Sequence, residues 1–444
     1  MNLKIIEKVK KINKENHFFN EISLIESGEK GKLSGIAISV KDCIVVKDME
    51  SRAGSKILSG YKAPFDATII EKIKAEGGTI IGKTAQDEFG HGSFATNVGV
   101  DFEVPLNPFD KERCCGGSSG GSAGITAKAD FKHISIAEST GGSIVCPAAF
   151  CGVHGLCPTY GLVSRYGLMD YANSLDKMGP MAKTVSDIAL ALNVIAGYDD
   201  KDSTSVDRKK EDYKDYLKKS VSGLKIGVIK EAFGEGVDPE IATKVKDKIE
   251  ELKERGCLVE EVSLPLNSKY SLATYYLIAM SETSTNLAKF CGMRYGKHEK
   301  LEGSFNEYFT KVRSLNFGEE AKRRIIIGTF ARMSGFRDAY YIKALKVRTK
   351  LIEEYQKVFL KFDVLISPTM PVIAPKFSEI KKMTPLENYM MDILTVGPNL
   401  AGLPHLSVPI GFKDEMPIGL MVIGDHFAEG KLIQIGNALE KKNE

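Results

Sequence analysis

Three separated runs hold side chains that could together cleave an amide: Lys41 after an apolar run, Ser118 in the Gly/Ser segment 116–122, and Ser143 at the end of Ser139-Thr140-Gly141-Gly142-Ser143. A serine hydroxyl is a poor nucleophile without a base beside it. Lysine can be that base once it loses its charge. In an extended run, Ile36, Ile38 and Val40 share one face, which leaves Lys41 on the other with the small Ala37 and Ser39. A lysine with small neighbours can be drawn inside, where burial penalises the ammonium form and makes a neutral amine available near neutral pH. The glycines before Ser143 let the backbone N–H groups of Thr140, Gly141, Gly142 and Ser143 face one cavity. One such donor aimed at a developing oxyanion is worth roughly 3 kcal/mol in the transition state. Taken singly, a surface lysine, a flexible linker and a tight turn explain each run equally well; the three together favour acyl chemistry.

Other motifs carry less. Gly77-Gly78-Thr79-Ile80-Ile81-Gly82-Lys83-Thr84 spells a phosphate loop, but a helix-like run precedes it and Thr79 to Ile81 prefer strand, the reverse of what that loop needs. The run CCGGSSGGSAG contains G-x-S-x-G centred on Ser118, Ser119 or Ser122, yet a charged, turn-like stretch leads into it where a nucleophile elbow needs a strand. Cys151, His154 and Cys157 form C-x2-H-x2-C without a convincing fourth zinc ligand, and buried thiols are the simpler reading.

These residues need a scaffold, and 444 residues with 43% hydrophobic and 27% charged content supply a large ordinary core. A net charge of +3 from 61 basic and 58 acidic residues gives no phosphate-binding footprint, so any RNA is expected to be held by a partner. Eight scattered cysteines without CxxC pairs argue against a disulfide framework. No apolar run has the length of a membrane span, and the lysine-rich start lacks a signal-peptide core, so a cytoplasmic protein with no membrane contact is expected.

Periodicity predicts strands near 34–40, 79–82, 133–137, 224–229, 363–366, 405–410 and 418–423. Helices are expected over 67–75, 185–195, 239–255, 319–333, 340–360 and 431–441. Alternation of the two implies an α/β layer fold. The polar stretch 199–216 reads as a surface connection inside a single domain spanning 1–444, with the catalytic core at about 30–200.

Lysine after a strand, GGSSGGSAG, TGGSI and PAAFCGVHGLCPTYG together resemble the amidase-signature family over most of the chain. Asp87-Glu88-Phe89-Gly90, Asn107-Pro108-Phe109-Asp110, Lys322-Arg323-Arg324-Ile325 and Asn399-Leu400-Ala401-Gly402-Leu403-Pro404 are similar to its branch of glutaminase subunits serving tRNA-dependent amidotransferases. The resemblance implies a central mixed sheet covered by helices on both faces. It also implies Lys41 as base, Ser118 as a bridging serine on a cis peptide, and Ser143 as the nucleophile. Arg324 would grip the α-carboxylate of glutamine, Asp392 its α-amino group, and Tyr275 would line the pocket. The chain itself would bind no cofactor. ATP and Mg2+ would act through a partner B subunit, which also holds the charged tRNA, while a small C subunit wraps the interface. The product would be Gln-tRNA(Gln) or Asn-tRNA(Asn). A stand-alone amidase and a catalytically silent member of the complex are the competing expectations. Against the family pattern, Ser139 stands for aspartate, Val145 for arginine and Cys157 for lysine, and the interval from Ser118 to Ser143 is 25 positions, one longer than usual.

Overall fold

The computed structural model describes residues 2–441. Its centre is one sheet of 11 strands. In chain order these are β1 (Phe19–Ile25), β2 (Ala37–Lys41), β3 (Thr79–Thr84), β4 (His133–Ser139), β5 (His154–Cys157), β6 (Lys177–Ala182), β7 (Lys225–Ile229), β8 (Leu258–Val262), β9 (Val364–Pro368), β10 (His405–Lys413) and β11 (Met416–Gly424). They lie in the order β1-β3-β2-β4-β6-β5-β10-β11-β9-β7-β8. Pairing is parallel for β2 with β3 and β4 and for β7 with β8 and β9; the other neighbours are antiparallel.

Side chains alternate across a strand, and here the alternation feeds two cores. On β2, Ile38 and Val40 join one cluster and Ala37 another. On β11, Leu420 and Val422 face the first cluster while Met421 and Ile423 face elsewhere. Helices therefore cover both faces: Thr68–Ala75, Val185–Ile195, Pro239–Glu254 and Glu429–Glu440 pack on one, Gly120–Lys128 and Val145–Phe150 on the other. All seven expected strands and all six expected helices form, with ends shifted by a few residues.

Four strands escape the periodicity argument. β5 has only four residues, all buried, so it shows no alternation. β6 carries Lys177, Gly179 and Pro180. β8 is a polar edge strand, and β1 mixes charged and apolar residues. The helix Pro265–Asn286 escapes it as well, because it buries Asn267, Ser271, Thr274, Ser281 and Thr283 alongside its apolar residues, leaving no clean stripe.

The Gly/Ser run is no linker. Its second half is the helix Gly120–Lys128, buried over seven residues, and a Cβ at Gly121 would lie 2.4 Å from the Phe18 carbonyl oxygen. Small residues are needed so that the segment can pack directly against its neighbours. The connection over 199–216 is also tied down: Asp199 accepts hydrogen bonds from Thr68 at 2.6 Å and Ser164 at 2.5 Å. The phosphate-loop lookalike is strand β3, and Lys83 spends its ammonium on the carbonyls of Asp42 and Ile44 and the Ser51 hydroxyl.

Candidate active site

Lys41 ends β2 with no exposed surface, beside the central strand β4. Its Nζ lies 2.7 Å from Ser118 Oγ, 3.0 Å from the Glu138 carbonyl oxygen and 2.8 Å from Glu138 Oε2. The Gly117–Ser118 peptide is cis. Gly117 N–H donates to the Ser93 carbonyl at 2.8 Å, and Ser119 Oγ donates to the Glu138 carbonyl at 3.1 Å. A Cβ on Gly117 would meet the Asp87 carboxylate at 2.1 Å. The loop therefore lies too close to its neighbours for any side chain at that position. Burial raises the Asp87 carboxyl to about 6, and the backbone N–H groups of Asn97 and Ala95 pull the other way.

Ser143 follows the segment Ser139 to Gly142 that leaves β4, and 6% of its surface is exposed. Ser139 Oγ donates to the Gly141 carbonyl at 2.9 Å, and Asn399 Nδ2 donates to the Thr140 carbonyl, so both ends of the turn are held. Thr395 backs Gly142, where a Cβ would lie 2.4 Å from its Oγ1. Gly141 rests on Tyr275, whose hydroxyl oxygen would be 3.0 Å from such an atom.

From Tyr275 the pocket residues are continuous. The Tyr275 and Tyr276 rings meet edge-on at 4.9 Å. Tyr276 donates to Asp392 Oδ2 at 2.5 Å and Ser93 donates to the same oxygen at 2.9 Å. Burial pushes the Asp392 carboxyl up, opposed by those two donors. The Arg324 guanidinium stands 5.3 Å over the Tyr276 ring and is itself buried, bonded through Nε to Glu320 at 2.8 Å and through Nη1 to the Tyr171 hydroxyl at 2.6 Å. A cavity of about 220 Å3 is lined by Ser93, Glu320, Arg323, Arg324 and Tyr389, among others, and brings two cations and one carboxylate into one small space. Neither its lining nor that of a larger cavity of about 410 Å3, which has Met390, Met391 and Leu394, includes Lys41, Ser118 or Ser143.

Glu138 was not anticipated, nor were Asp176, Tyr171, Glu320 and Ser93. Thr140 Oγ1 lies 2.8 Å from Glu138 Oε1 and 2.7 Å from Asp176 Oδ1. Burial, and then the charge of Glu138, holds the Asp176 carboxyl well above the usual carboxylate range. A carboxylate inside an apolar strand, as in His133–Ser139, was the available signal. The lysine absent at Cys157 is answered by Lys177 from the neighbouring strand region, whose buried ammonium adjoins the Cys157 thiol and donates to the Leu403 carbonyl at 2.9 Å. Among the described residues no cluster of His, Cys, Asp or Glu is suited to a metal ion, and no helix is long and apolar enough to cross a membrane. All eight cysteines are free.

The amidase family model matches residues 20–433. The A subunit of glutamyl-tRNA(Gln) amidotransferase from Halothermothrix orenii is 49% identical over 418 residues, covering 94% of this chain and 86% of the relative. The protein of the same name from Methanococcoides burtonii is 49% identical, covering 95% and 87%. Among solved structures, the A subunit of glutamyl-tRNA(Gln) amidotransferase from Thermotoga maritima superposes with a TM-score of 0.83 at 38% identity, over 99% of this chain and 91% of that one. The native peptide amidase of Stenotrophomonas maltophilia superposes at 0.74 with 29% identity, over 93% and 83%. One family model thus spans the sheet with its two cores, the buried lysine bonded to Ser118, and the glycine turn that ends in a second serine: the chain belongs to the amidase family.

Proposed function

We propose that this chain is the glutamine-hydrolysing subunit of a tRNA-dependent amidotransferase, with Ser143 as nucleophile, Ser118 as proton relay and Lys41 as base. The observation that carries the reading is the 2.7 Å contact between the fully buried Lys41 amine and Ser118 Oγ. Relatives at 49% identity that bear the name of such a subunit support it.

In this reading Arg324 pairs with the α-carboxylate of glutamine and Asp392 with its α-ammonium, since a guanidinium fork suits a carboxylate and a carboxylate suits an ammonium. Tyr275 lines the pocket. The side-chain carboxamide then lies against Ser143. Ser143 Oγ attacks the carbonyl carbon while its proton passes to Ser118 and the proton of Ser118 passes to Lys41. The carbonyl oxygen takes up the negative charge, which the backbone N–H groups of Thr140, Gly141, Gly142 and Ser143 stabilise. When the C–N bond breaks, the proton returns through Ser118 to the leaving ammonia, and a γ-glutamyl ester remains on Ser143 until water cleaves it.

The ammonia serves a partner B subunit, which converts Glu-tRNA(Gln) to Gln-tRNA(Gln) or Asp-tRNA(Asn) to Asn-tRNA(Asn) with ATP and Mg2+; a small C subunit completes a cytoplasmic heterotrimer. In this reading the B subunit holds the nucleotide and its metal, while Lys83 of the phosphate-loop lookalike donates to the carbonyls of Asp42 and Ile44. The test is labelled glutamine offered to the assembled complex, with mass spectrometry of the Ser143 peptide. A γ-glutamyl adduct that is lost in Ser143→Ala is expected, and turnover by Ser143→Ala would refute the assignment.

A further inference from the structure

The Lys41 amine has three acceptors around it: Ser118 Oγ, the Glu138 carbonyl and Glu138 Oε2, at 2.7, 3.0 and 2.8 Å. That is one acceptor for each proton of an ammonium group. Both side chains are almost dry, with Lys41 at 0% and Glu138 at 4% exposure. A base, however, needs a lone pair directed at Ser118, which an ammonium lacks. We propose that Glu138 is a positioning residue of the triad: its carboxylate and its backbone carbonyl take two of the hydrogen-bond directions of the Lys41 nitrogen and so aim the remaining one at Ser118 Oγ. The inference rests on the triad reading given above.

The cause is geometric: when the Glu138 carbonyl and Oε2 accept the two N–H groups of a neutral amine, the lone pair of that amine faces Ser118. The carboxylate is held on both sides: Lys41 donates to Oε2, and the Thr140 hydroxyl lies 2.8 Å from Oε1 and 2.7 Å from Asp176 Oδ1. The titratable groups around this pair are Lys41 and Cys43 from the end of β2, Asp87 from the loop after β3, Cys157 from β5 and Asp176 just before β6. With the lone pair so aimed, the proton of Ser118 can move onto nitrogen as Ser143 Oγ bonds to carbon.

Glu138→Gln keeps an acceptor for Lys41, because the amide oxygen replaces Oε2, whereas Glu138→Ala removes it. In the assembled amidotransferase, glutaminase kcat and KM are measured for both variants. Glu138→Ala is expected to lower kcat by about 100-fold with KM for glutamine changed by less than about threefold, and Glu138→Gln to recover most of that loss. Wild-type kcat in Glu138→Ala, or no recovery in Glu138→Gln, overturns the inference. Ammonia-dependent transamidation by each variant reports intact assembly. If Glu138→Ala fails to assemble, Glu138→Asp decides: it withdraws the acceptor by one methylene, so kcat falls, and wild-type kcat overturns the proposal. Activity surviving in Ser143→Ala would sink the triad reading itself, whereas a dead Ser143→Ala beside wild-type kcat in Glu138→Ala sinks only the role of Glu138.

Discussion

Tyr276 donates to Asp392 at 2.5 Å, and the same tyrosine ring lies 5.3 Å under the Arg324 guanidinium. One aromatic side chain thus holds the anion and faces the cation assigned to the two ends of an α-amino acid. Tyr276→Phe removes a donor from a buried carboxylate without changing shape. Since an unmet buried group costs about 1–3 kcal/mol, KM for glutamine should rise by roughly 5- to 100-fold with a smaller change in kcat. Steady-state glutaminase kinetics would show it, and an unchanged KM would remove Asp392 from the binding site.

Arg324→Lys keeps the charge but loses the planar fork that binds Glu320 and Tyr171 together. Weaker glutamine binding by about tenfold or more is expected. The preference for glutamine over a carboxamide lacking the α-carboxylate should shrink by a similar factor. Equal losses on both substrates would point to a damaged fold instead.

Ser143→Ala and Lys41→Ala should each abolish glutamine-dependent transamidation and spare the ammonia-dependent reaction, because only the acyl step uses these side chains. Product tRNA formed from ammonium chloride measures the spared half. Loss of both activities in a well-folded variant would contradict the assignment.

Burial sets the Asp87 carboxyl at about 6, above the ordinary 3.8. The folded state therefore binds a proton more tightly than the unfolded chain between those values, so this group's stabilising contribution is full below about pH 4 and is lost as pH rises through 6. The loss is on the order of 3 kcal/mol. Asp87→Asn removes this slope. It should also lower stability at every pH, because Ala95 and Asn97 both donate to the side chain and an amide offers only one acceptor oxygen. Denaturant melts at pH 4.5 and 7 should show a smaller difference in the variant than in the wild type; equal differences would contradict the buried-carboxyl account.

Gly328 lies one turn beyond Arg324 on Glu319–Arg332, and a Cβ there would come 1.8 Å from the Met280 carbonyl oxygen. Gly328→Ala must push this helix away from Pro265–Asn286, which carries Tyr275 and Tyr276. Destabilisation of about 1–3 kcal/mol or more is expected, together with a higher KM for glutamine. A variant with wild-type melting and KM would show that the helices slide apart freely.

Residue order alone determined the strand and helix alternation, the Lys41, Ser118 and Ser143 runs, and the rejection of the phosphate loop at Lys83, because each rests on local spacing and on what a side chain can do chemically. Arg324 and Asp392 were legible only through resemblance. The register that sets β2 against β4, and so brings Glu138 onto Lys41, joins residues 97 positions apart and was decided by tertiary packing. The same holds for Tyr171, Ser93 and Glu320 around the pocket, and for Lys177 beside Cys157. A lone carboxylate or hydroxyl in a sequence window has no visible partner. Its role appears only when folding removes water and leaves the neighbouring side chains as its remaining source of hydrogen bonds and counter-charge.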